Sequence, residues 1–101
     1  MSSSASRVRK SADFIRTNLG EDLTLERVAA HAGISAYHFH RLFKVEMGET
    51  VASYTRRARL ERAEFLMRAA PDRSLTSIAL DVGFSSSSEF SRVFKQAFGV
   101  P

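Results

Sequence analysis

Arg41 and Lys44 stand three residues apart, and so do Arg92 and Lys95. Each pair lies in a near-identical hexapeptide, FHRLFK at 39–44 and FSRVFK at 90–95. Cations repeated at matched positions suit an anionic partner. Arg forks onto a phosphate or a guanine edge, whereas Lys offers a point charge. Around the first pair lie Ala36, Tyr37 and His40; around the second lie Ser87, Ser88 and Ser91. Hydroxyl and imidazole groups hydrogen-bond base edges, Tyr37 and Ala36 can meet thymine methyls, and short side chains admit a close approach.

Other chemistries are poorly served. His38 and His40 are two residues apart and point to different faces of a helix, His31 belongs to another helix, and no acid completes a set, so no metal site is expected. The chain has no cysteine, which excludes a disulfide framework and a Cys-based zinc site. The serine run 85–88 reads as a turn and a helix cap. Ser86-x-x-Glu89 fits a capping box, which is preferred to a contact between Glu89 and cytosine. A nucleophile elbow needs a sheet, and none is expected here. No enzymatic activity and no cofactor are predicted. No apolar run approaches the ~18–20 residues of a membrane span, and the N-terminus lacks the apolar middle of a signal peptide. A cytoplasmic protein with no membrane partner is expected.

The elements that must position these residues are helices. Fifteen Lys plus Arg against 11 Asp plus Glu give a net charge of +4, and 44% apolar residues can support a core. The length admits one compact domain or two very small ones. Val8, Ala12, Ile15 and Leu19 recur at helical steps, with Gly20 as the stop. Thr24, Ser35, Thr50, Ser74 and Ser86 are each placed to cap a following helix. The apolar faces are Leu25, Val28, Ala29 and Ala32; Phe39, Leu42, Phe43 and Met47; Leu75, Ile78, Ala79 and Val82; and Phe90, Val93, Phe94 and Phe98. Between the pairs, 50–70 runs as one long helix up to Pro71. The fold class is all-α.

The hexapeptides thus belong to a larger repeat. Thr24, Leu25, Val28, Ala29 and Gly33 match Ser74, Leu75, Ile78, Ala79 and Gly83, all 50 apart, while the Phe pairs are 51 apart. The second copy carries one extra residue between Gly83 and Ser86, where it disturbs neither helix. A short helix, a Gly turn and a second helix make a helix-turn-helix unit. With Ser35 and Ser86 as caps, helical positions 4, 7, 8 and 12 face the core. Positions 1, 2, 5, 6 and 9 face outward. Those outward sets are Ala36, Tyr37, His40, Arg41 and Lys44, and Ser87, Ser88, Ser91, Arg92 and Lys95. They suit a helix in a DNA major groove, with Lys44 and Lys95 on the backbone. The long helix spans roughly 30 Å, near the ~34 Å between successive major grooves on one face of DNA. Its Arg56, Arg57, Arg59 and Arg62 could follow the intervening phosphates, or pair with Glu61 and Glu64 on a solvated face.

IALDVGFSSSSEFSRVFKQAFGVP resembles the signature of the AraC/XylS family of bacterial transcription regulators. LTLERVAAHAGISAYHFHRLFKVEMG resembles the family's first helix-turn-helix, and YTRRARLERAEFLM its connecting helix. The resemblance covers residues 8–101. It implies two helix-turn-helix subdomains, homeodomain-like three-helix units, joined by a long connecting helix. It implies sequence-specific binding to double-stranded promoter DNA, usually as an activator that recruits RNA polymerase. Carried over by position, the base-reading residues are Ala36, Tyr37, His40, Arg41, Ser87, Ser88, Ser91 and Arg92. The phosphate contacts expected beside them are Lys44, Arg56, Arg57 and Lys95.

The expected organisation is a disordered leader at 1–5, a first subdomain at 6–49, a connecting helix at 50–70 and a second subdomain at 71–101. The family usually continues past FG-x-x-P into a last helix with a Tyr-Arg pair. The second subdomain is therefore expected to be truncated and its C-terminal edge loosely held. An effector-binding domain is expected elsewhere in a longer protein. The alternative reading is a helix-turn-helix adaptor, or a recombinase-type DNA-binding module without a transcriptional role.

Overall fold

The computed structural model describes Ser3 to Gly99. Among the described residues there are six helices and no strand: α1 (Ser4–Thr17), α2 (Leu25–Ala32), α3 (Ala36–Met47), α4 (Val51–Ala69), α5 (Leu75–Asp81) and α6 (Ser87–Phe98). None is long and apolar enough to cross a membrane.

Each helix starts where a hydroxyl can take an orphan amide. The side chains of Thr24, Ser35, Thr50, Ser74 and Ser86 accept from the amides of Arg27, His38, Ser53, Ser77 and Glu89. The Glu89 carboxylate does not reach back to the cap residue itself. It accepts from the amide of Ser85, one residue earlier, at 2.9 Å.

The two helix-turn-helix units share one turn geometry. Ile34 donates its amide to Ala29 at 3.1 Å, and Phe84 donates to Ala79 at 2.9 Å. Ile34 and Phe84 are therefore equivalent, and Ser85 is the insertion. Gly33 adopts φ +72°, a left-handed conformation that side chains rarely tolerate. In the first unit Arg7 of α1 adds a brace, donating to the carbonyls of Ala32 and Gly33 at 2.8 Å each.

Two cores result, and α4 serves both. Val8, Ala12, Ile15, Leu19, Val28, Ala29, Phe39 and Phe43 pack with Val51, Tyr54 and Ala58. Leu60 and Ala63 pack with Ile78, Ala79, Val82, Phe84, Phe90 and Val93. The Ala29 and Ala79 side chains are buried where each short helix meets its partner, so their size permits the close crossing. The molecule is elongated, 46 × 23 × 19 Å.

Three expectations need correction. The leader does not extend to residue 5: Ser3 caps α1 by accepting from the Ser6 amide at 3.1 Å, so Ser4 and Ala5 are helical. Residues 1–2 and 100–101, on which the leader and the truncated C-terminus partly fall, lie outside the described residues. Gly20 does not stop the first helix. That helix ends at Thr17, with Asn18 as its cap and the Asn18 amide side chain donating to the Phe14 carbonyl at 2.8 Å. The His31 ring, near the end of α2, stacks on Phe14 of α1, centroids 3.9 Å apart. Finally, Leu75 and Phe98 are 41% and 48% exposed, not core. Leu25, the repeat mate of Leu75, packs into a core to which α1 contributes, whereas the second core is drawn from α4, α5, α6 and the turn between the last two.

Candidate nucleic-acid interface

The buried side of each second helix fixes what its other side presents. Phe39 and Phe43 anchor α3 with no exposed surface, and Phe90 and Val93 anchor α6. Ring contacts run through both anchors: Phe39 to Phe43, centroids 5.6 Å apart, and Phe84 to Phe90 to Phe94, at 5.4 and 5.6 Å. The opposite face of α3 exposes Tyr37, His40, Arg41 and Lys44, with Ala36 half-buried at its start. That of α6 exposes Ser88, Arg92 and Lys95, with Ser87 and Ser91 half-buried. All eight candidate base-reading residues thus lie on the two outer faces, four to a helix.

Most arginines outside these two faces are paired with carboxylates. Arg9, Arg16, Arg27, Arg57, Arg68 and Arg73 each hold a carboxylate, on Glu46, Asp13, Glu21, Glu49 with Glu61, Glu64 and Asp81 respectively. None of those arginines belongs to α3 or α6. Among the described residues, no acidic side chain lies within ion-pair distance of Arg41, Lys44, Arg92 or Lys95. An unpaired cation keeps its full attraction for a phosphate and has no internal partner to surrender.

The arginines of α4 divide. Arg56 is exposed, with no ion pair among the described residues, and lines a cleft of about 360 Å³ with Arg92, Gln96 and Thr55. The Thr55 hydroxyl there is buried without a hydrogen-bond partner among the described residues. The fold thereby brings a cation of α4 beside one of α6. Arg57 is engaged otherwise. It donates to Glu49 at 2.6 Å and Glu61 at 2.9 Å and lies over the Tyr54 ring. Those hydrogen bonds raise its pKa, and the Arg57 bond holds Glu49 below the ordinary glutamate value. Arg62 covers the Phe65 ring, 5.0 Å from its centroid.

Arg59, for which the sequence left open phosphate contact or pairing with Glu61 and Glu64, is engaged with backbone. It is half-buried and donates Nε to the Leu19 carbonyl at 3.1 Å and Nη2 to that of Glu21 at 2.9 Å. Burial lowers its pKa, with Glu89 and Asp22 acting in the opposite direction. Neither this role nor the burial of Phe84 was assigned from sequence. The repeat does carry the second signal, since Phe84 aligns with Ile34 once the insertion is placed at Ser85.

A helix-turn-helix domain family profile matches residues 28–101. The chain is 38% identical over 95 residues to the regulatory protein PocR of Salmonella typhimurium, covering 94% of this chain and 31% of PocR. Its fold matches the C-terminal domain of AraT, a response regulator from Geobacillus stearothermophilus. The TM-score is 0.86 at 32% identity, over 93% of this chain and 78% of that one. It also matches a transcriptional regulator of the AraC-type DNA-binding class from Chromobacterium violaceum. There the TM-score is 0.85 at 29% identity, over 93% and 83% of the two chains. The chain spans about a third of the length of the first curated relatives it matches.

Proposed function

We propose, since this chain belongs to the AraC/XylS family of helix-turn-helix DNA-binding domains, that it binds an asymmetric duplex as a monomer, with α3 and α6 in successive major grooves. The carrying observation is the Arg and Lys at the sixth and ninth positions of both second helices, without an ion pair among the described residues, on a surface whose other arginines are mostly neutralised. Arg41 and Arg92 fork onto guanine; Tyr37, His40, Ser87, Ser88 and Ser91 meet base edges; Ala36 allows the approach. Lys44, Lys95 and Arg56 take phosphates. Arg57 joins them only by giving up Glu49 and Glu61, so its share is smaller.

The geometry supports two adjacent grooves. At 1.5 Å per residue α4 spans about 28 Å, and successive major grooves on one face lie about 34 Å apart. Because the two heads differ, no palindrome is needed. Binding, without catalysis or cofactor, is the whole of the domain's proposed activity. In the cell the domain serves a bacterial, cytoplasmic regulator at promoters. The resemblance favours activation through RNA polymerase, with an effector-binding domain elsewhere in the full-length protein.

The test is affinity for duplex DNA against salt concentration. Each phosphate neutralised contributes about −0.9 to the slope of log K against log salt. Three or more contacts predict a steep fall. A flat response would instead support the adaptor reading.

A further inference from the structure

The two cores share no residue, and α4 passes between them. Ala58 is the last α4 residue of the first core and Leu60 the first of the second. Arg59 lies at that joint. Its guanidinium reaches back to the turn after α1, where it binds the carbonyls of Leu19 and Glu21, 40 and 38 residues away. The same turn is pressed from the other side by the second unit. A Cβ on Gly83 would stand 2.2 Å from the Leu19 carbonyl oxygen and 2.6 Å from Arg59 Nε. A Cβ on Gly20 would stand 2.9 Å from the Asp81 carbonyl oxygen. Gly83 also has φ +102°. Both glycines therefore mark places where backbone meets backbone across the two units, with no room for a side chain.

We infer that Arg59 is a positioning residue that locks the turn of the first unit against the second and so fixes the separation of α3 and α6. Each unit packs on its own half of α4, so their mutual setting depends on the contacts made at this joint. Arg59 bonds two carbonyls of one turn with a planar, pre-formed fork, which a Lys ammonium cannot reproduce. It lines the cleft that also holds Arg56 and Arg92, but its guanidinium is engaged by the two carbonyls, so its effect on DNA is through geometry. This inference deepens the two-groove reading, since a fixed separation of the helices sets one permitted spacing between the two boxes.

The absence of cysteine allows the separation to be measured without DNA. Val45 on α3 and Gln96 on α6 are exposed. Nitroxide labels on a Val45→Cys, Gln96→Cys chain report the distance between the two second helices. The inference predicts one narrow distance distribution, which broadens in Arg59→Met at unchanged helical content. Arg59→Lys should lie between the two, and it carries the same reading should Arg59→Met fail to fold. An equally narrow, unshifted distribution in the folded Arg59 variants would overturn the inference. Duplexes with the box spacing changed by one base pair give the functional arm. Wild type should lose about tenfold in affinity, and Arg59→Met distinctly less. Spacing-independent binding by the wild type would count against the two-groove reading, whereas the label distances judge the clamp by themselves.

Discussion

The rings of Phe43 and Tyr54 meet edge to face, with centroids 5.6 Å apart and planes at 80°. Both are buried, and the contact ties α3 to the N-terminal half of α4. Truncating Phe43 removes this tie and leaves a cavity in the first core. Phe43→Ala is expected to cost about 3–5 kcal/mol in urea denaturation. In the second unit Phe90 carries the equivalent burden at 3% exposure. Phe94 is only partly buried, so Phe94→Ala should cost less than Phe90→Ala.

Arg41 and Arg92 are expected to discriminate bases. Arg41→Ala and Arg92→Ala should each weaken binding to the preferred duplex by about 1–3 kcal/mol and relax preference at one position. Lys44→Ala should weaken all sequences alike and reduce the salt slope by about 1. Competition binding with matched and mutated duplexes separates the two patterns. Unchanged affinity in both Arg variants would show that these faces do not read DNA.

Glu89 faces a choice between capping and recognition. Its carboxylate accepts from the Ser85 amide, and its own amide donates to Ser86 Oγ at 3.0 Å. Ser86→Ala is therefore expected to cost about 1 kcal/mol. Glu89→Ala should lower the melting temperature while leaving base preference intact. Loss of a preference for cytosine in that variant would contradict the capping role.

The Glu49–Arg57 pair predicts an acid-dependent contribution. The hydrogen bond from Arg57 lowers the folded-state pKa of Glu49 more than burial raises it. A carboxyl group whose pKa is depressed on folding stabilises fully above its unfolded value. That stabilisation is lost as pH falls through the folded value. The stability gap between wild type and Glu49→Gln should therefore shrink as the pH is lowered below the ordinary glutamate range. Denaturation curves across a pH series check this, and a constant gap would contradict it.

Local chemistry was legible in the sequence; long-range chemistry was not. The five caps, the two turns and the buried Phe faces depend on residues within a few positions of one another, and the 50-residue repeat makes each copy a check on the other. Arg59 could not be placed that way. Its partners are backbone carbonyls some 40 residues distant, which carry no side-chain signature, and an Arg in a basic run looks the same whether it meets a phosphate or a turn. Gly20 was noticed as punctuation, but the Asp81 carbonyl that requires it lies across the molecule. Leu25 and Leu75 are identical letters at matched positions, yet α1 shelters only the first. The outward faces of α3 and α6 followed from helical spacing alone.

Selection of random duplexes by the whole domain, followed by sequencing of the bound pool, tests the central claim most directly. Two unlike boxes about one helical turn apart, in a fixed order and recovered by a monomer, are predicted. A single box, or a palindrome bound by two copies of the domain, would contradict tandem reading by α3 and α6.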